Sequence, residues 1–195
     1  MKLCIADINR TSLDDIRLIS AERAAKALRF RKLDDRKRCI TAGLMVRHFL
    51  GNTDITTGEF GKPIAENGTQ FNLSHSGRYV LMAISDSNVG CDIERIKIVD
   101  SQKLGKIVFC QNEMQNIHSA TDKTGLFFEY WTKKESLLKC TGEGFHRNAK
   151  NVDVSGDFFD DKDKRYYFKV FKFSDYTVSV CSEKNNFCNT IEFYT

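Results

Sequence analysis

Alternating apolar and polar positions predict short β-strands in two separate parts of the chain. In the first part, the alternation covers residues 2–8 and then the runs FNLSHSG, YVLMAIS and VGCDIERI, which turn residues such as Gly77 and Asp86-Ser87-Asn88 separate. We interpret these three runs as sequential antiparallel strands. From Asn151 onward, YYFKVFKF, YTVSVCS and TIEFY alternate in the same way, which predicts a second sheet.

Apolar residues at helical spacing predict helices before each group of strands. Ser20 is a typical cap for a helix through ERAAKALRF, and a second helix is predicted from Asp35 to Leu50, with Gly51 as its stop. The clearest helical pattern runs from Leu126 to Cys140 and ends at Thr141-Gly142-Glu143-Gly144.

Because helices followed by strands occur twice, we predict an α+β chain of two pseudo-symmetric halves. Each half is a helix-plus-antiparallel-sheet unit, at residues 1–97 and 98–195. The chain has 195 residues, one proline and no Gly/Ser-rich stretch, so we expect one compact body without a flexible linker.

Cysteine usage favours a reducing compartment, and the shortness of the apolar runs disfavours a signal sequence and a membrane span. The seven cysteines include no C-x-x-C pair, which fits neither a zinc site nor a disulfide framework. The N-terminal residues reach Asp7 before a signal sequence could form, and the apolar run from Val80 to Ile84 is too short to cross a bilayer. We expect a soluble cytoplasmic protein with free thiols and no membrane partner.

Positive charge is concentrated in one segment. The net charge is +4, yet the stretch from Arg23 to Arg38 alone holds eight basic residues and two acidic ones. Such a segment is typical of a nucleic-acid surface, of a pocket for a polyphosphorylated small molecule, or of a solvated helix face. Phe30 is its only aromatic residue, which disfavours nucleic acid.

A pair of carboxylates follows an apolar strand at Asp92-Ile93-Glu94. Residues two apart on a strand face the same side, so Asp92 and Glu94 are expected to point one way. Neighbouring carboxylates repel each other unless a cation such as Mg²⁺ lies between them. The alternative is an exposed strand end with Arg95 as a salt-bridge partner.

The helix FFEYWTKKESLLKC places a carboxylate beside its apolar stripe. Glu135 comes four residues after Trp131 and three before Leu138, and Lys139 follows on the same helical face. A carboxylate in that position needs a partner, which is either Lys139 in an ordinary i,i+4 ion pair or a metal ion.

A polar turn, Ser74-His75-Ser76-Gly77, connects two apolar strands. A histidine there can donate to a phosphate, helped by the serines and nearby amides. The alternative is turn chemistry with one hydrogen-bonded histidine. No nucleophile elbow surrounds it, so a serine-hydrolase triad is a poor interpretation.

In order and spacing, the segments GKP, FNLSHSG, VGCDIE and WTKKESLLKCTGEG resemble the 4′-phosphopantetheinyl transferase superfamily. The length and the basic N-terminal segment are similar to its surfactin-synthetase-activating (Sfp-type) class, in which one chain holds two pseudo-symmetric halves. The resemblance covers residues 20–145, beyond which only the strand pattern supports it. It implies transfer of the 4′-phosphopantetheine arm of coenzyme A to a serine of an acyl- or peptidyl-carrier protein, with release of 3′,5′-ADP.

The resemblance also implies roles for individual residues. Asp92, Glu94 and Glu135 would hold Mg²⁺, or Mn²⁺, at the pyrophosphate. Glu135 or a metal-bound water would be the base, and Lys139 would stabilise or protonate the leaving phosphate. The residues that would contact the coenzyme, or support its phosphates, are Arg23, Lys26, Arg38, Lys62, Ser74, His75 and Lys134. Cys39 stands where the family pattern leads us to expect a small hydroxyl residue.

The expected partners are coenzyme A and a transiently bound carrier protein, without nucleic acid, and the chain is expected to be a monomer. Two other functions would use the same residues. A magnesium-dependent hydrolase of nucleotide pyrophosphates would pass the phosphoryl group to water, and a non-catalytic coenzyme A or nucleic-acid binding module would need no metal. The W-x-x-K-E-x-x-x-K helix together with D-x-E favours transfer.

Overall fold

A computed structural model of the chain describes residues 1–58, 61–144 and 148–194. Within these ranges the helices are α1 (Ala21–Leu28), α2 (Leu33–Leu50), α3 (Ser101–Val108), α4 (Gln111–Ser119) and α5 (Lys123–Thr141). The strands are β1 (Lys2–Asp7), β2 (Ile55–Thr57), β3 (Pro63–Ala65), β4 (Gln70–Ser76), β5 (Tyr79–Ser85), β6 (Val89–Arg95), β7 (Phe158–Asp161), β8 (Lys164–Phe173), β9 (Tyr176–Ser182) and β10 (Glu192–Tyr194). None of the helices in the described ranges combines the length and the apolar content that crossing a membrane requires.

The cap at the start of α1 and the stops of α2 and α5 confirm the predictions, whereas α2 begins at Leu33 and α5 at Lys123, before their predicted starts at Asp35 and Leu126. The Ser20 hydroxyl accepts the N–H of Arg23 at 3.3 Å at the start of α1. Helix α2 ends at Gly51 (φ 69°) and α5 at Gly142 (φ 77°), where the positive φ favours glycine. Helices α3 and α4 were not predicted, because they are as short as α1 but contain weaker helix formers, such as Gly105 in α3 and two asparagines in α4.

The first sheet has the strand order β10-β1-β5-β4. Strand β5 pairs antiparallel with β1 on one edge and with β4 on the other, and β10 adds to β1 in parallel. The prediction that the FNLSHSG and YVLMAIS runs are adjacent antiparallel strands is therefore confirmed.

The VGCDIERI run does not continue this sheet, and its prediction as the third sequential strand was wrong. Both edges of β5 are already occupied, so β6 pairs with β9 instead, with Asp92 opposite Ser179. The second sheet has the order β6-β9-β8-β7. Each sheet thus takes one strand from the other predicted half, namely β6 and β10. The division of the chain at residue 97 stays a prediction.

The core is built in layers that follow the alternation along the strands. On β1, Cys4 and Ala6 pack with α2, whereas Leu3 and Ile5 pack with side chains of the second sheet. Helix α5 covers the other face of the second sheet, through a cluster rich in aromatic side chains. This architecture of helices on two antiparallel-rich sheets confirms the predicted α+β class.

Candidate active site

The carboxylates Asp92 and Glu94 lie within β6, not beyond its end, and they point toward β4. Ile93, between them, is fully buried in the core shared by the two sheets. The hydroxyl of Ser74 donates to Oδ1 of Asp92 at 2.7 Å, and that of Ser76 donates to Oε2 of Glu94 at 2.7 Å. The structure therefore places Asp92 and Glu94 on the same side of the strand, as the alternation predicts.

Helix α5 brings Lys139 to the first of these carboxylates. Its ammonium lies 2.6 Å from Oδ1 of Asp92 and 3.1 Å from the hydroxyl of Ser74. The approach depends on Gly90, because a Cβ at that position would overlap the backbone of Ser136 and Cys140 on α5. Lys139 thus forms its ion pair with β6 and not within its own helix.

Negative charge exceeds positive charge at this point. Burial and the charge of Asp92 raise the pKa of Glu135 above its ordinary value, and they do the same for Glu94 against the opposing hydrogen bond from Ser76. Burial disfavours the charged form of Lys139, but the charge and hydrogen bond of Asp92 outweigh it and raise the pKa of Lys139. Lys139 therefore acts on all three carboxylates, and Lys97 adds positive charge at Glu94.

One oxygen of Asp92 is left without a partner. Oδ1 is bonded to Ser74 and Lys139, whereas Oδ2 is buried and makes no hydrogen bond with any residue in the described ranges. A buried carboxylate oxygen without a partner is costly. Carboxylate oxygens are also the ligands that Mg²⁺ takes from proteins. The donor set of Asp92, Glu94 and Glu135 therefore fits a hard divalent cation.

A cleft of about 880 Å³ lies between α1, α2, β4 and the residues 51–55, 57, 61 and 63. Its basic lining residues are Arg23, Lys26, Arg38 and Arg47. Cys39 also lines it, and the Cys39 thiol donates to the carbonyl of Arg23 at 3.7 Å. The structure thus brings three predicted phosphate-binding residues, Arg23, Lys26 and Arg38, to one cavity.

His75 lines the cleft and stands on β4 between the two serines that bond the carboxylates. Neighbouring positions on β4 face opposite ways, so Leu73 and His75 line the cleft while Ser74 reaches Asp92. Partial burial and the charges of Arg38 and Lys139 lower the pKa of His75 below its ordinary value, although the imidazole keeps contact with solvent. At neutral pH His75 is therefore an uncharged donor.

A family model described as the 4′-phosphopantetheinyl transferase superfamily matches residues 88–188. This stretch, just over half of the chain, contains both β6 carboxylates and all of α5. The chain belongs to this superfamily. The match adds to the resemblance in the N-terminal motifs, and it includes the residues beyond 145 for which the sequence offered only a strand pattern.

Individual relatives agree with the family. The 4′-phosphopantetheinyl transferase gsp of Aneurinibacillus migulanus is 33% identical over 138 residues, which are 66% of this chain and 58% of gsp. A 4′-phosphopantetheinyl transferase of Bacillus subtilis is 27% identical over 197 residues, which are 91% of this chain and 88% of that protein. The aligned part of the chain thus spans about three fifths of the length of gsp.

Among solved structures, the crystal structure of Thermotoga maritima holo-[acyl-carrier-protein] synthase (AcpS) gives a TM-score of 0.39 at 14% identity. The superposition covers 49% of this chain and 61% of that chain. A likeness of this size is too distant to argue from.

Two predicted site residues of this phosphopantetheinyl transferase family member lie elsewhere. Lys134 is buried and donates to the carbonyls of Ala149 and Val152, and it pairs with Glu113 at 2.9 Å. Lys62 donates to the carbonyl of Cys140 at 2.9 Å, and burial lowers the pKa of Lys62. The structure does not bring either ammonium to the carboxylates of β6.

A second acidic group lies around Glu113. The ligand atoms of Cys110, Glu113 and Asp153 lie within 4.8 Å of one another, which is closer than the three carboxylates of the predicted site come. Both oxygens of Glu113 are taken, by the N–H groups of Cys110 and Val154 and by the ammonium of Lys134. This cluster is a satisfied buried ion pair that ties α4 to α5.

Sequence reasoning missed part of the arrangement around the carboxylates. Ser76 was part of the polar turn, but its link to Glu94 was not predicted, and neither was the role of Gly90. The alternation Asn72, Ser74, Ser76 is the signal that could have found the link, because short polar side chains at every second position face one neighbour.

Proposed function

We propose that this protein transfers the 4′-phosphopantetheine group of coenzyme A to a serine of an acyl- or peptidyl-carrier protein and releases 3′,5′-ADP. The observation that carries the proposal is that the two parts of the site share strand β4: His75 lines the basic cleft, and its neighbour Ser74 bonds Asp92. Coenzyme A has phosphate groups at two points, a 3′-phosphate and a pyrophosphate, and so matches a site that combines a cation-lined cleft with a separate set of carboxylates.

In this proposal the cleft binds the nucleotide end of coenzyme A. Arg23, Lys26 and Arg38 meet the 3′-phosphate end, and Ser74 and His75 contact the phosphates nearest to β6. Arg38 is already held by Asp35 and by the carbonyl of Gly77, so its guanidinium is oriented before the ligand binds. Lys62 and Lys134 are left out, because neither lines the cleft: the ammonium of Lys62 donates to the carbonyl of Cys140, and that of Lys134 pairs with Glu113.

Asp92, Glu94 and Glu135 would hold Mg²⁺, and Mn²⁺ would substitute. The support is the unpartnered Oδ2 of Asp92 and the raised pKa values of Glu94 and Glu135, which mark charge that a cation would compensate. The ion, when bound, neutralises charge on the pyrophosphate.

The protein side chains then move the protons and stabilise the leaving group. Glu135, whose carboxylate lies near Asp92 and Lys139, would take the proton of the carrier serine. The serine oxygen forms a bond to the phosphorus that bears the pantetheine arm, and the bridging P–O bond breaks. Lys139 meets the negative charge that develops on the departing 3′,5′-ADP.

We further propose that the protein acts as a monomer in the cytoplasm. The support for the compartment is that all seven cysteines are free, which is typical of a reducing environment. The support for the monomer is that the cleft and the carboxylates both belong to one chain.

The test is mass spectrometry of an apo carrier protein incubated with the purified chain, coenzyme A and MgCl₂. We expect a mass gain of about 340 Da, the phosphopantetheine group left by phosphoryl transfer, and none with Asp92→Asn. Asp153→Asn, a carboxylate of the second cluster, is the matched control and should transfer normally. Release of 3′,5′-ADP without a mass gain would favour the hydrolase, and coenzyme binding without turnover would favour the binding module; either result overturns the proposal.

A further inference from the structure

Side chains of β4 lie along the edge of β6, where a further strand could pair. Among the strands in the described ranges, β9 alone pairs with β6, so β6 is an edge of the second sheet. On its other side, the N–H groups of β6 donate to side chains of β4. The pairs are Cys91 with Asn72 at 3.0 Å, Ile93 with Ser74 at 3.3 Å and Arg95 with Ser76 at 3.1 Å.

At Ser76 this arrangement leaves one direction for the hydroxyl proton. The N–H of Arg95 can only donate, so the Ser76 oxygen accepts from it. The single proton of the hydroxyl then points to Oε2 of Glu94, at 2.7 Å. The backbone of β6 therefore orients Ser76, and Ser76 orients the carboxylate beside it.

A glutamate side chain has three rotatable bonds and loses much freedom when it is fixed. We propose that Ser76 is a positioning residue, which holds the Glu94 carboxylate in the direction needed to bind Mg²⁺ together with Asp92. This inference rests on the proposed function, in which Glu94 is a metal ligand. Groups that hold metal ligands in this way typically change metal affinity or activity by about 10- to 100-fold when they are removed.

The competing explanation is that Ser76 only joins the two sheets. Asn72 separates the two explanations, because it accepts an N–H of the same strand, that of Cys91. The described side-chain bonds of Asn72 go to Cys91 and to no carboxylate. If joining the sheets were the whole role of Ser76, Ser76→Ala and Asn72→Ala would behave alike.

The experiment measures Mg²⁺ binding in the full chain. Wild type, Ser76→Ala, Ser76→Thr and Asn72→Ala are titrated with MgCl₂ by calorimetry at saturating coenzyme A. Melting temperatures and the Mg²⁺ dependence of transfer are recorded alongside. We expect Ser76→Ala to weaken Mg²⁺ binding about 10-fold or more, Ser76→Thr to restore it through its hydroxyl, and Asn72→Ala to lower the melting temperature with wild-type Mg²⁺ affinity.

Wild-type Mg²⁺ affinity in Ser76→Ala would overturn the positioning role while leaving the proposed function intact. Equal weakening in Asn72→Ala, or no restoration in Ser76→Thr, would overturn it as well, because the hydroxyl would then not be the cause. Failure of the proposed function itself is seen separately, in the wild type, as absence of transfer to the carrier protein.

Discussion

The ammonium of Lys139 contacts two elements other than its own helix. Its ammonium is held by Asp92 and Ser74, and Glu135 contributes charge but no ion pair within 4.0 Å. An exposed i,i+4 pair would be worth only about 0.3–0.5 kcal/mol. Because Lys139 is held between two elements, next to carboxylates, we propose that it acts on a substrate charge.

The first prediction at this scale is that Lys139→Ala lowers kcat of transfer by roughly 100-fold or more, with a smaller change in KM. The reason is that charge on the departing 3′,5′-ADP develops in the transition state, whereas ground-state binding is shared with the other cations of the cleft. Steady-state kinetics against a carrier protein measures both parameters. Lys139→Arg should restore little, because a guanidinium is bulkier and does not release its proton.

Lys103→Ala, on the exposed face of α3 and outside the cleft lining, is the control and should have wild-type kinetics. A wild-type kcat in Lys139→Ala would show that the lysine serves only its pair with Asp92.

At the scale of elements, the site depends on how closely α5 crosses β6. Gly90 packs directly against the α5 backbone, and the atoms that a Cβ would meet belong to Ser136 and Cys140. Backbone of a helix cannot move aside as a flexible side chain can. The distance between α5 and β6, which carry the three carboxylates, is therefore set by Gly90, a residue without a functional side chain.

Gly90→Ala is expected to lower the free energy of unfolding by about 1–3 kcal/mol and to reduce transfer. The added methyl group pushes α5 off β6 and so separates Lys139 from Asp92. Chemical denaturation measures the first effect and carrier-protein mass the second.

Gly156→Ala is the matched control, since the nearest atom to its added Cβ would be 3.8 Å away. It should keep both stability and transfer. If Gly90→Ala were as stable and as active as this control, the close crossing would not be what positions the site.

Neighbouring residues of α5 face different partners. Lys134 and Glu135 are adjacent in sequence, but Lys134 turns to Glu113 and the carbonyls that follow α5, whereas Glu135 faces β6. Removing one partner of a buried ion pair typically costs about 3–5 kcal/mol. Lys134 therefore stabilises the packing of α4 on α5.

At the scale of the whole molecule, the basic segment becomes one wall of a cleft. Residues of α1 and α2 supply the cations, and β4 together with residues 51–55, 57, 61 and 63 supplies the opposite wall. Three of the eight basic residues of the segment, Arg23, Lys26 and Arg38, thus line a cavity.

We expect Lys26→Ala to weaken the binding of coenzyme A more than that of 3′-dephospho-coenzyme A, because only the former carries the 3′-phosphate. Calorimetric titration with the two ligands measures the difference. Lys103→Ala, away from the cleft, should change neither. An equal loss for both ligands would remove Lys26 from the 3′-phosphate site, and salt-sensitive binding of duplex DNA would favour the nucleic-acid alternative.

The linear pattern was enough to predict helices α1, α2 and α5, the strands with clear alternation, and the shared side of Asp92 and Glu94. These features depend on neighbours two to four residues apart, which a linear pattern contains. The family could be named from the order of four motifs, because their spacing reflects a common fold.

The contacts between distant parts of the chain became known only from the packed structure. Strand β6 joins β9 because the edges of β5 are occupied, Lys139 pairs with Asp92 because Gly90 lets α5 approach, and Lys62 and Lys134 end at carbonyl acceptors. Each of these outcomes depends on which edge, cavity or buried partner is free once the chain is packed. A pattern of adjacent residues contains no information on that, so these contacts could not be predicted from it.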